Sequence, residues 1–451
     1  MKQFNEIQLV GSQNILTKYL AFSENEDLTM YFFENKISIN PSLISTISKN
    51  QYNNKIGCYQ YSESDFIFIK IFVLPKTENI SDINSVNDLL LIFEKYFFEY
   101  VRLKNLFGSL HGFSTIPDNI VDLDFSSIRS ISEYFESRYS KVLREVISFF
   151  RKHSRVQYST HLFSSQTVTA QINFKRNVLE LNKSLLHQQE NIINNKSLLA
   201  SITYSVVSFF SLHKNHLLSN STLADDIKLL NNILGKILKN NFVDLKKLSS
   251  SSKIEKALLS KVFKNDFSHN RLRDNLLILL GWETSNNNIK IKDFDSIWFS
   301  PEYMYELNVF EKLNKLKMDG VLDFYSKPSL PYNIISENRV LAESSSCPDF
   351  VIQYGNKKMI LDAKWKIIYD FNSIQNEDLL KAFRDEEIHF PDSSDVNVIL
   401  AYPRILIETI NFETKIFCYN YNPRYTFEIM SIPLFSTDVV SSLFNPSIKN
   451  L

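Results

Sequence analysis

The sequence predicts a multidomain α+β protein whose last domain is of the α/β class. The length of 451 residues suits two or three domains, and a hydrophobic content of 44% is enough to form their cores. The spacing of apolar residues divides the chain into a strand-rich N-terminal domain (1–115), a mainly helical middle region (116–290) and a C-terminal domain (291–451) in which helices and strands alternate.

The N-terminal domain is predicted to contain short strands followed by a helix. Strand-like composition occurs at 31–39 and 57–61, and residues 66–74 form a β-branched and aromatic run that Pro75 ends. Helical spacing takes over at 86–106.

In the middle region, apolar residues at helical spacing predict helices, and one stretch of alternation interrupts them. The predicted helices are 131–152, 179–216, 223–239 and 257–280, and the alternating stretch is 166–179.

The C-terminal domain has the element order of an α/β core. A helix is predicted at 301–317, a hairpin at 349–367, a second helix at 377–388 and a buried strand at 396–402. A helix, two strands, a crossover helix and a further strand form a sheet with helices packed on it.

The charge and cysteine content limit the classes of partner and compartment. Fifty basic and fifty acidic residues cancel, whereas a protein that binds DNA alone usually has a basic excess. Contact with nucleic acid is therefore expected to be local or assisted by a partner. The three cysteines are far apart and odd in number, which predicts a reducing compartment. No apolar run reaches the ~18 residues of a membrane span, so a cytoplasmic protein without a membrane partner is expected.

The hairpin carries the most informative residues of the chain. Gly355 and Asn356 form a two-residue turn signal, and counting outward from it sets Asp349 directly opposite Asp362. Asp362 and Lys364 are two residues apart on one strand, so they share a face. One face of the hairpin therefore collects two carboxylates and an ammonium group.

This combination suits hydrolysis of a phosphodiester bond. Two close carboxylates repel each other unless a cation lies between them, and Mg²⁺ prefers oxygen ligands and keeps several waters. A bound metal polarises the phosphate and lowers the pKa of a bound water. Lys364 can orient that water or neutralise charge in the transition state. Mg²⁺ is the expected ion, with Mn²⁺ as a substitute.

Glu306 is the candidate third acid. It lies in the helix that begins after the expected N-cap Ser300, and its neighbours on the helical wheel are apolar: Tyr303, Val309, Phe310 and Leu313. A carboxylate on an apolar stripe is rare unless it has a partner. A metal-bound cluster is one such partner, and a salt bridge across a domain interface is the alternative.

These residues resemble the motifs of the PD-(D/E)XK nuclease superfamily. More closely, they resemble the McrC-type nuclease subunits of modification-dependent restriction systems. The motifs read MYEL (304–307), CPDFVI (347–352) and ILDAKWK (360–366), with the weaker DLLKAFRD (378–385) and ILAYP (399–403). Upstream, the resemblance is confined to IFVLPK (71–76), YFESRY (134–139) and QINFKR (171–176).

The resemblance implies a restriction-endonuclease-like fold for the C-terminal domain and roles for its residues. Asp349, Asp362 and Lys364 match the catalytic motif and Glu306 the helix acid, so the implied metal ligands are Asp349, Asp362 and Glu306. The family often has Arg or Lys before Pro-Asp, where this chain has a cysteine, and the helix after the motif also differs. Possible DNA contacts are Lys366, Lys381 and Arg384.

The resemblance also implies partners. In such systems an AAA+ NTPase ring, a GTPase in the best-known examples, reads and translocates DNA, and the N-terminal part of the nuclease subunit docks into the ring. The leading hypothesis is a Mg²⁺-dependent DNA endonuclease subunit that acts with a McrB-like AAA+ partner in phage defence. The alternatives are a non-catalytic adaptor or activator of the NTPase and a stand-alone repair-type nuclease.

Overall fold

A computed structural model gives the architecture of most of the chain. It describes residues 1–10, 13–24, 26, 41–52, 54–64, 67–109, 118–120, 123, 125–126, 128–152, 158–165, 171–172, 177, 186–193, 195–213, 221–239, 251–263, 266–285, 288–290, 294–336, 339–369, 374–392, 396–405, 415–418 and 426–435. Within these ranges the protein is a mixed α/β structure built around two larger mixed sheets. None of the helices in these ranges is long and apolar enough to cross a membrane.

The helices of the described residues are numbered in chain order. They are α1 (Pro41–Tyr52), α2 (Val86–Phe107), α3 (Ile131–Lys152), α4 (Asn195–His213), α5 (Ser221–Lys239), α6 (Ser251–Leu258), α7 (Phe267–Leu280), α8 (Pro301–Met318) and α9 (Asn376–His389). The predicted helices at 86–106, 131–152, 223–239, 301–317 and 377–388 are confirmed to within two residues at each end.

The strands are numbered in the same way. They are β1 (Lys2–Val10), β2 (Gln13–Ser23), β3 (Ile56–Ser64), β4 (Ile67–Leu74), β5 (Tyr158–Ser165), β6 (Gln171–Ile172), β7 (Leu186–Ile193), β8 (Glu283–Ser285), β9 (Asn288–Lys290), β10 (Phe294–Phe299), β11 (Asp323–Ser326), β12 (Leu330–Ser336), β13 (Arg339–Ser346), β14 (Phe350–Tyr354), β15 (Lys357–Ala363), β16 (Ile367–Ile368), β17 (Val396–Tyr402), β18 (Arg404–Ile405), β19 (Lys415–Cys418) and β20 (Thr426–Ser431). The strand predicted at 31–39 lies outside the described residues.

The first sheet has five strands in the order β1-β2-β4-β3-β10. Its last strand, β10, comes from the beginning of the predicted C-terminal domain and pairs antiparallel with β3. The two backbones approach closely at Gly57, where an added Cβ would lie only 2.5 Å from the carbonyl oxygen of Ile297. A residue with a Cβ would clash with the facing strand here, so this position requires glycine.

Strand β10 also contacts the middle region. The hydroxyl group of Tyr139, on α3, donates a hydrogen bond to Asp295 of β10, and the backbone N–H of Trp298 donates to the Asn119 side chain at 2.7 Å. Buried residues of the N-terminal, middle and C-terminal parts form one continuous hydrophobic cluster. The first part of the chain is therefore completed by residues that lie beyond position 290.

The middle region is mainly helical but contains a three-stranded sheet, β5-β7-β6. The predicted helix at 179–216 is wrong in its first half, because β7 pairs with β5 over eight residues and α4 starts only at Asn195. The predicted helix at 257–280 forms only from Phe267, as α7; its first part covers the last two residues of α6 and a short 3-10 turn at Lys261–Phe263. The Asp266 side chain accepts a hydrogen bond from Ser268 N and so caps a new helix there.

The second sheet has six strands in the order β11-β14-β15-β17-β20-β19. The pairs β15–β17 and β17–β20 are parallel. Helix α8 packs on one face, in the same hydrophobic cluster as Leu361 and Ala363 of β15. Helix α9 covers the other face, where its Leu379 packs with Val398 and Leu400 of β17. The second sheet therefore lies between two helices, as the order of the elements predicts.

Candidate active site

The hairpin of β14 and β15 forms in the predicted register. The turn is at Gly355 and Asn356, with Gly355 at a φ of +57°, and the pairing continues to Phe350 opposite Leu361. The next opposing residues are Asp349, directly before β14, and Asp362, the second-last residue of β15. Asp362 also pairs with Leu400 of β17, so it shares the face that α9 covers.

Asp349 is buried, with 4% of its surface exposed. Its Oδ2 accepts a hydrogen bond of 2.8 Å from the backbone N–H of Ala363, on the facing strand. Its Oδ1 accepts one of 2.8 Å from Nζ of Lys327. Both carboxylate oxygens are therefore fixed, one by the sheet and one by an ammonium group.

Asp362 is more deeply buried, with 2% exposed. Nζ of Lys364 lies 2.6 Å from its Oδ2, and Nζ of Lys381, on α9, lies 3.2 Å from its Oδ1. Burial raises the pKa of Asp362, and the negative charge of Asp349 raises it further, against the two lysines. Burial alone would lower the pKa of Lys364, but the contact with Asp362 outweighs it and the pKa is raised.

Lys364 is positioned by the chain on either side of it. Its backbone N–H donates to Ala401 O at 2.8 Å, which continues the pairing of β15 with β17. The next residue, Trp365, is buried against Tyr305, with ring centroids 6.0 Å apart. Its indole N–H donates to Oε1 of Glu24, beyond the end of β2, at 2.9 Å. The predicted catalytic lysine is thus anchored to both large sheets.

Glu306 lies on α8 as predicted, and its apolar neighbours on the helix are buried. The sequence predicts that it joins Asp349 and Asp362 as a metal ligand. Nζ of Lys327 lies between Glu306 and Asp349, 2.9 Å from Oε2 of the first and 2.8 Å from Oδ1 of the second. In the part of the chain that the structure describes, no three His, Cys, Asp or Glu side chains form a group that could hold a metal ion.

The three predicted DNA-contacting residues lie on or near α9, and each has a carboxylate partner. Lys366 Nζ is 2.6 Å from Asp378 Oδ2, and Lys381 reaches Asp362. Arg384 Nη2 lies 3.0 Å from Asp385 Oδ1, and 44% of the arginine side chain is exposed. Lys381 and Arg384 lie one turn apart on α9, so they offer two cations on the side of the helix near the acid pair.

Three residues of the site were not predicted from the sequence. Asp378, in the first turn of α9, holds Lys366 and lies 3.6 Å from Nζ of Lys364; its place in the motif DLLKAFRD was the available signal. Lys327 follows a strand that was not predicted, and Glu24 is 341 positions away from Trp365. Neither of these two has a local signal in the sequence.

The whole site is a network in which acids and lysines alternate. The acids are Glu306, Asp349, Asp362 and Asp378, and the cations are Lys327, Lys364, Lys366 and Lys381. Asp349 and Asp362 together fit a hard divalent ion, because their two carboxylates lie side by side. Burial disfavours the ionised form of Asp362, and a bound cation would offset that effect. Glu306 fits as a third ligand only if Lys327 moves.

Comparison with known proteins gives no family assignment. No family model and no curated protein matches the chain. A chain of the refined half-complex from a tetradecameric assembly of Thermococcus gammatolerans McrB AAA+ hexamers with bound McrC aligns with a TM-score of 0.38 and 13% identity, over 92% of this chain and 94% of that chain. A chain of the cryo-EM structure of the Thermococcus gammatolerans McrBC complex aligns with a TM-score of 0.28 and 13% identity, over 66% and 87%. Scores this low do not establish a shared fold.

Proposed function

We propose that this protein cleaves DNA by metal-dependent hydrolysis of phosphodiester bonds, with Mg²⁺ as the ion and Mn²⁺ able to replace it. The observation that supports this best is the buried pair Asp349 and Asp362 on facing strands, with Nζ of Lys364 2.6 Å from Asp362. Paired buried carboxylates are electrostatically unfavourable, and such groups occur mostly where a reaction or a cation needs them.

The residues have separate roles in this proposal. Asp349 and Asp362 would hold the ion, with Glu306 as a third ligand after Lys327 is displaced. The ion would polarise the scissile phosphate and lower the pKa of a bound water. Lys364, whose pKa is raised by Asp362, keeps its proton and so acts as a cation beside the phosphate rather than as a general base.

Helix α9 and the hairpin complete the proposed active site. The hydrogen bond from Ala363 N–H fixes the direction of the Asp349 carboxylate. Lys381 and Arg384, which keep 36% and 44% of their side chains exposed, would contact the phosphates that flank the cleaved bond.

We further propose that the chain acts as the nuclease subunit of a McrBC-like restriction or defence complex, with a McrB-like AAA+ NTPase, expected to be a GTPase, as its partner. The support is the motif resemblance and the formal net charge of zero, which gives the chain little general attraction for DNA. Co-purification of the chain with an AAA+ protein encoded beside it tests this part. A chain that cleaves DNA at its full rate without any NTPase contradicts it.

The nuclease proposal is tested with two single variants and a matched control. We expect Asp362→Ala and Lys364→Ala to abolish Mg²⁺-dependent cleavage while partner binding and the circular dichroism spectrum are retained. Asp323→Ala is the control, because this carboxylate is exposed and lies outside the network at the start of β11. Cleavage by the Asp362→Ala protein at the wild-type rate would refute the proposal.

One observation favours a second candidate, a non-catalytic adaptor of the NTPase. Each acid of the site already faces a lysine, so the network is electrically balanced without any ion. Thermal melting with increasing Mg²⁺ or Mn²⁺ separates the two candidates. A stabilisation of the wild type that disappears in the Asp349→Asn/Asp362→Asn double variant supports the nuclease. No metal-dependent stabilisation of the wild type, or an equal metal-dependent shift in the double variant, supports the adaptor.

A further inference from the structure

Lys327 holds an unusual backbone conformation at the centre of the candidate site. It directly follows β11, and its φ of +47° lies in the left-handed region, which residues with a Cβ rarely adopt. Among the described residues, Asn54 is the other non-glycine residue with a positive φ, and asparagine tolerates this region better than lysine. Such a conformation persists where the surroundings impose it, and it is frequent at functional sites.

Three contacts impose the conformation of Lys327. Its backbone N–H donates to Asp349 O at 2.9 Å, which extends by one residue the pairing of β11 with β14. Its Nζ donates to Asp349 Oδ1 at 2.8 Å and lies 2.9 Å from Glu306 Oε2. The backbone hydrogen bond fixes the position of the Lys327 main chain, and the two carboxylates fix the position of its Nζ.

The ammonium group contacts one oxygen of each of two predicted metal ligands. Asp349 Oδ2 already accepts a hydrogen bond from Ala363 N, so Lys327 uses the oxygen of Asp349 that remains. It also joins Glu306 to Asp349, which are two of the three predicted metal ligands. An ion bound by both acids would lie next to the ammonium, and like charges at such a separation repel strongly.

We propose that Lys327 is an internal counter-ion that competes with the divalent ion for Glu306 and Asp349 and so limits how tightly the site binds metal. This inference rests on the proposed function, since it requires that these acids bind a metal ion. With no ion bound, the ammonium neutralises the two acids. The Lys327 side chain is 21% exposed, so it can turn toward solvent without crossing the core when an ion enters.

Metal affinity measured by calorimetry on the full-length chain tests the inference. We expect Lys327→Met to bind Mn²⁺ about tenfold or more tightly than the wild type, because a single charge at this distance shifts ionic equilibria by about one to three powers of ten. Lys327→Asn also lacks the ammonium and tolerates the left-handed backbone, so it gives the same gain even if the methionine variant does not fold. Lys317→Met is the control, because Lys317 pairs with Asp323 at the surface and its loss leaves the affinity unchanged.

The outcomes distinguish the inference from the proposed function. If both neutral variants of Lys327 bind Mn²⁺ no more tightly than the wild type, while Asp349→Asn/Asp362→Asn abolishes binding, Lys327 is not a competitor and the proposed function stands. If the double variant binds Mn²⁺ as the wild type does, or if no protein binds it, both ideas are overturned. Binding by Lys327→Met at concentrations where the wild type binds none supports the inference.

Discussion

Replacing Lys364 by methionine should destabilise the folded protein. Nζ of Lys364 lies 2.6 Å from Asp362 Oδ2, and the two side chains are only 17% and 2% exposed. At an effective dielectric constant of about 20, this contact corresponds to about 6 kcal/mol of attraction, part of which the desolvation of the lysine offsets. Loss of one partner of a buried pair typically costs about 3–5 kcal/mol. Because Lys381 still lies 3.2 Å from the Asp362 carboxylate, we expect Lys364→Met to lower the free energy of unfolding by about 3 kcal/mol, the lower end of this range.

The cause of this loss can be isolated with a double-mutant cycle. If the cost is an uncompensated carboxylate, Asp362→Asn should recover most of it, and the coupling between the two changes should be about 2 kcal/mol. Urea unfolding followed by circular dichroism gives the four free energies of unfolding. Lys228→Met, which removes an exposed pair with Asp225, should change stability by no more than about 0.5 kcal/mol. A double variant whose loss of unfolding free energy equals the sum of the losses in Lys364→Met and Asp362→Asn would refute the reasoning.

Three further predictions concern the rest of the fold. Gly57→Ala should cost about 1–3 kcal/mol, because its Cβ would meet Ile297 O at 2.5 Å; an unchanged urea midpoint would contradict this. Burial raises the pKa of Glu24 against the opposing effects of Lys76 and Trp365, so the contribution of this carboxyl group to stability should be present below about pH 4.3 and be lost as the pH rises toward the raised pKa. Glu24→Gln should flatten that dependence in urea midpoints from pH 4 to 8, and parallel curves would contradict it. A fragment of residues 291–451 should aggregate or remain partly unfolded, since β10 loses β3; a fragment with a cooperative thermal transition would disprove this.

The elements nearest to the candidate site could be predicted because their signals are local. A two-residue turn fixes the register of β14 and β15, so counting from Gly355 was enough to place Asp349 opposite Asp362. In the same way, Ser300 caps α8 through a hydrogen bond from Tyr303 N, and the periodicity of the helix then gives the position of Glu306.

The features that were missed depend on pairing between distant segments. The residues of β7 became a strand because β5 lies beside them, not because their own pattern alternates clearly. Strand β10 joins the first sheet across more than 200 positions of sequence, so a linear division of the chain at 290/291 separates strands that pair. The position of Lys327 depends on the pairing of β11 with β14, and single-sequence periodicity contains no information about such partners.

The junction between β10 and α8 has a mechanical consequence. Phe299 ends the strand and Pro301 begins the helix, so a single residue separates the first sheet from the helix that carries Glu306. At 1.5 Å per residue, Glu306 lies about 8 Å along the helix from this pivot, and a tilt of about 7° would displace it by about 1 Å. Distances between spin labels on β1 and α8, measured with and without a bound partner, would report such a tilt. A partner that bound the first sheet and tilted β10 would therefore shift Glu306 relative to Asp349 and Asp362, because only Ser300 separates the strand from the helix.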